Sequence, residues 1–103
     1  MKDAISARLA QLAARGETTH YGALARDLGL TGPSTIARLT QALEALMEED
    51  AALGRPLRAA LVTQRGSPLP ARGFFDKAQA LGLDTSDPEG LVADHRRRLF
   101  ERA

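Results

Sequence analysis

A chain of 103 residues with a formal net charge of +1 sustains one modest core and no second one. Of its 45 hydrophobic residues 35 are Ala or Leu, with two Val and two Ile, a balance that favours helices over a β-sandwich or barrel. Cysteine is absent and His20 and His95 stand far apart, which excludes disulfides, thiolate nucleophiles, iron–sulfur ligation and Cys-based zinc, and leaves no cofactor or metal expected.

Residues 3–15 place Ile5, Leu9 and Leu12 at helical spacing, with Gly16 as the stop. A second, short helix is expected over 21–28, where Tyr21, Leu24, Ala25 and Leu28 share a face before Gly29. Leu30 to Ser34 reads as a turn, with Pro33 suited to a first helical turn and Thr31 or Ser34 available as a cap. The third helix then covers 33–52, its apolar side made by Ile36, Leu39, Leu43, Leu46 and Met47.

Beyond Gly54 the character changes. Residues 57–64 contain the adjacent β-branched pair Val62-Thr63 and are the best strand candidate. A turn at 65–68 and an extended return over 69–72 complete a hairpin, weakened as a ladder by Pro68 and Pro70. A short helix over 74–81 follows, and Asp87 caps a last one starting at Pro88 and running to about Arg102. The order predicts a mainly α fold with a small β-hairpin. It is the plan of a winged helix, a helix-turn-helix variant, with two C-terminal helices, all in one domain over 1–103.

Charge is segregated along the chain. Residues 44–50 carry −4 and 55–82 carry +4; 84–94 carry −4 and 95–103 carry +3. Such blocks signal either a footprint for a polyanion or pairing within the molecule. Glu48, Glu49 and Asp50 lie where a helix C-terminus disfavours negative charge, and pairing with Arg55 and Arg58 is the reading favoured for them. Arg96, Arg97 and Arg98 point in different directions around one helical turn, and His95 falls on the apolar side as a packing residue.

The tract Thr19-His20-Tyr21-Gly22-Ala23-Leu24-Ala25 through Gly29-Leu30 resembles the first half of the helix-turn-helix of alkyltransferase and alkyltransferase-like DNA-repair proteins. The resemblance covers about a dozen residues and implies a winged-helix-type domain that contacts DNA. Pro56-Leu57-Arg58 stands where that family has Pro-Cys-His-Arg or Pro-Trp-His-Arg, so alkyl transfer to sulfur is impossible here. Ala37-Arg38 matches the family's Ala-Arg pair, but the following residues are out of register by one, and no base-flipping role is carried over. The stretch from Leu57 to Leu81 also looks like a winged-helix-like domain of uncharacterised bacterial proteins, which implies a fold and no activity.

The expected function is non-enzymatic DNA binding. Thr31, Ser34 and Thr35 would meet phosphate at the start of the third helix, with Arg38 and Gln41 reading bases. Arg58, Gln64, Arg65 and Arg72 would form the basic wing. The rival expectation is a protein contact or homodimer that reuses the fold through the acidic helix end and the Phe74/Phe75 region. No stretch of about 18 apolar residues and no leader-like start are found, so no membrane partner and a cytoplasmic location are expected. No arrangement of Ser34, Ser67 or Ser86 with His and Asp suggests catalysis.

Overall fold

Leucine and alanine at helical spacing produce five α-helices in the computed structural model, which describes residues 1–102. They are α1 (Lys2–Arg15), α2 (Tyr21–Asp27), α3 (Thr35–Ala52), α4 (Arg72–Ala80) and α5 (Pro88–Arg102). The expected helices are all present, with ends shifted by one or two residues. Asp87 caps α5 as expected, accepting from the Gly90 amide at 3.1 Å. Among the described residues no helix is long and apolar enough to cross a membrane.

The apolar faces meet in one core. Ile5, Leu9 and Leu12 of α1, Leu24 of α2, Leu39, Leu43, Leu46 and Met47 of α3, and Val92 and Leu99 of α5 are buried together. Ile36 departs from the expected apolar side, since it is 47% exposed; the first buried residue of α3 is Leu39. The turn after α3 is exposed at Leu53 and Gly54, with Gly54 at φ +65°, where a side chain would be strained.

The expected β-hairpin is not formed. Arg58–Leu61 is a turn of 3₁₀ helix, and only Val62–Thr63 is strand (β2). Its partner is Thr19–His20 (β1), in parallel, with Thr19 opposite Val62 and His20 opposite Thr63. The return segment cannot supply a ladder because Pro68 and Pro70 carry no amide hydrogen. One backbone bond joins the two arms, from the Gln64 amide to the Leu69 carbonyl at 2.9 Å, and a second, from the Ser67 amide to the Gln64 carbonyl at 3.1 Å, closes the turn.

The segment from Leu57 to Val62 is instead a buried plug, with Leu57, Ala60, Leu61 and Val62 wholly enclosed. Buried backbone must find partners, and here side chains from other elements provide them. The Leu57 amide donates to His95 Nδ1 at 2.8 Å, the Arg58 amide to Asp50 Oδ2 at 3.0 Å, and Arg96 Nε to the Ala60 carbonyl at 2.8 Å. Ala59 and Ala60 add no bulk, which lets α1, α3 and α5 close around this stretch. It is therefore irregular without being loose.

Candidate nucleic-acid interface

The segment between α2 and α3 is a tight turn followed by an unusual helix start. Leu30 donates to the Ala25 carbonyl at 2.9 Å and ends α2. Ser34, at the N-cap of α3, adopts φ +63° and makes no side-chain capping bond. A capping hydroxyl normally sits on extended backbone, so the expected cap by Thr31 or Ser34 is absent. The Thr35 hydroxyl turns back to the Gly32 carbonyl at 2.6 Å, and Arg38 Nη2 donates to the Thr31 carbonyl at 3.2 Å. The amides of the first turn of α3 thus receive no side-chain cap and face outward with the positive end of the helix dipole.

Most residues expected at the site are on the surface. Thr31, Ser34, Arg38, Gln41, Gln64, Arg65 and Arg72 are exposed and Thr35 is half-buried. The loop over 64–71 is held from two sides: the Ala71 amide donates to the Tyr21 hydroxyl at 3.1 Å, and Arg96 Nη2 donates to the Pro68 carbonyl at 2.9 Å. The Tyr21 contact brings the start of α4, and with it Arg72, to the start of α2. Burial pushes the Tyr21 phenol pKa up, the Ala71 amide pulls it partly back, and Glu44 of α3 adds to the rise. Arg38 lies six residues before Glu44, about 9 Å along the helix.

Arg58 does not belong to this surface. Its guanidinium turns inward, with Nε at 3.0 Å from Asp50 Oδ2 and a further bond to the Ser6 hydroxyl. The 3₁₀ turn, in place of the expected strand, is what sends the side chain to the core side. The acidic end of α3 is likewise spent internally: Glu48 pairs with Lys77, Glu49 with Lys2, and Asp50 with Arg55 and Arg58. The Lys2 hydrogen bond holds the Glu49 carboxyl below its ordinary pKa. Phe74 is buried, and Phe75 packs edge-on against it with ring centres 5.1 Å apart.

Arg26 was not among the expected contacts. It is exposed in the last turn of α2, and neither it, Arg38 nor Arg65 forms an ion pair among the described residues. Its signal in the sequence was its place off the Leu24–Leu28 face, three residues before Gly29. Between residues 18 and 43 the only carboxylate is Asp27, which Arg8 holds at 3.1 Å, and between 51 and 75 there is none. Comparison with protein-family models, curated proteins and solved structures finds no match to this chain.

Proposed function

We propose that this chain is a non-enzymatic DNA-binding domain of winged-helix type. Carrying the reading is one surface property: the uncapped start of α3 lies in a stretch whose sole carboxylate is already neutralised, and Arg26 and Arg38 flank it free of ion pairs. The loop over 64–71 adds Arg65, and Arg72 is held only by Asp76 at 3.9 Å. Outward amides and unneutralised guanidinium groups are donors for phosphate oxygens. Arg38 and Gln41, one helical turn apart on α3, are the candidates for base edges. The resemblance of Thr19–Leu30 to the helix-turn-helix of alkyltransferase-like proteins agrees with this arrangement.

Fluorescence anisotropy of a labelled mixed-sequence duplex tests the proposal. Affinity should fall steeply as salt rises, with each lost phosphate contact flattening the logarithmic slope by about 0.9. Arg65→Ala with Arg72→Ala, and Arg26→Ala with Arg38→Ala, should each flatten it without unfolding the chain. Absence of binding at micromolar protein in low salt overturns the reading. A protein contact is the second reading, favoured by Leu53, 66% exposed at the far end of α3, and by Ile36. Light scattering with and without Leu53→Ser examines that reading in its simplest form, self-association.

A further inference from the structure

Between α1 and α5 the surface opens into a cleft of about 350 Å³, lined by Leu9, Ala10, Ala13 and Ala14 with Leu61 and Leu99. Alanines on the exposed side of α1 leave the two helices too thinly covered to close the gap. Through Arg58, Leu99 and Arg102 the cleft continues into a second one, about 190 Å³, bounded by Asp50, Arg55 and Pro56. One end of the depression is apolar and the other is built of guanidinium groups.

That second end has more donors than acceptors. Among the described residues Asp50 is its one buried carboxylate, set among Arg55, Arg58 and Arg102. The Asp50 oxygens already accept from the Arg58 amide and Arg58 Nε, and lie 3.2 Å from Arg55 Nη2. Arg58 Nη2 is 3.0 Å from Asp50 Oδ1 yet out of line for a hydrogen bond, and Arg55 Nε is also buried without a partner. Glu49 stands 3.8 Å from Arg58 but is engaged by Lys2. Cationic donors in this state are costly, and a further anion at the mouth would lower that cost.

We propose that this cleft binds a small amphipathic carboxylate, with its chain between α1 and α5 and its carboxylate at Arg55 and Arg102. The apolar part has the volume of a small-ligand pocket with few, grouped polar residues. A planar carboxylate matches the guanidinium fork. Inorganic phosphate alone would leave the Leu9–Leu99 walls unused, and an alkyl alcohol would leave the charge unanswered. The site is separate from the surface assigned to DNA.

Octanoate titrated into the full chain, followed by calorimetry and amide chemical shifts, tests the assignment. Saturable binding is expected, with shifts at residues 9–14, 58–61 and 99–102. Arg102→Gln, at an exposed position, should weaken it about tenfold. Ala10→Phe, and independently Ala14→Leu, should block the cleft with the thermal midpoint kept. Equal binding of octylamine or octanol, no saturation at millimolar octanoate, or full binding by both filled variants overturns the proposal. A dimer broken by Ala10→Phe and untouched by octanoate would give the cleft to a second copy and also overturn it.

Discussion

Asp50 accepts from the Arg58 amide while facing two guanidinium groups, and it is 1% exposed. Removing it strands two partly buried cations and one amide, so Asp50→Ala should cost about 3–5 kcal/mol in urea unfolding. Asp50→Leu combined with Arg58→Met should cost clearly less than the two single changes added together, because the Asp50–Arg58 pair is then removed whole and only Arg55 and the amide at position 58 lose their acceptor. His95 offers a second test. Burial holds its pKa below the ordinary 6.5, with Arg98 adding to the drop and Asp94 and Asp50 opposing it. The unfolded chain then takes up a proton before the folded one does, and stability must decline as pH falls below 6.5. Denaturation midpoints at pH 7.5 and at pH 5.5 should show that decline, and His95→Gln should flatten it.

The least regular element, Leu57 to Ala71, is held by polar side chains that arrive from distant parts of the chain. Arg96 ties both the Ala60 and the Pro68 carbonyls. Arg96→Met should therefore speed hydrogen exchange at Gln64 and Leu69 well before it affects the amides of α1 or α3. Leucine spacing made the five helices legible in the sequence, because a repeat of 3.6 residues is a local signal. The plug was not legible, because Asp50, His95 and Arg96 lie 8, 38 and 36 residues from the backbone groups they satisfy. For that reason periodicity sends Arg58 outward, whereas Asp50 holds it inward. The β-branched pair Val62-Thr63 is strand, as its residue types predict, but its partner comes from before α2. At the start of α3, Ser34→Gly relieves a left-handed serine and should add up to about 1 kcal/mol. If backbone amides at that point bind phosphate, it should leave DNA affinity unchanged.

On the scale of the whole molecule, the charge blocks seen in the sequence resolve into two uses. At the acidic end of α3 only Asp50 is neutralised by Arg55 and Arg58 inside the fold, while Glu48 and Glu49 pair at the surface, chiefly with Lys77 and Lys2 instead of with those arginines. Arg26, Arg38 and Arg65 stay outside. Exposure of Arg38 and Gln41 followed from the helical periodicity of α3, and that of Thr31, Ser34 and Arg65 from their place in turns. The open amides of α3 depend on one left-handed backbone angle at Ser34, which composition does not encode.

The bend at Leu53–Gly54 divides the chain into a part that owns most of the wall and a part that owns the plug. Neither part can shut water out by itself: residues 1–54 lack Leu57, Leu61 and Val62, and residues 55–102 lack α1 and α3. Severed at this accessible bend, the two pieces should stay unstructured separately and regain helical circular dichroism on mixing. The protein would then serve as a complementation pair, its signal conditional on the two halves meeting.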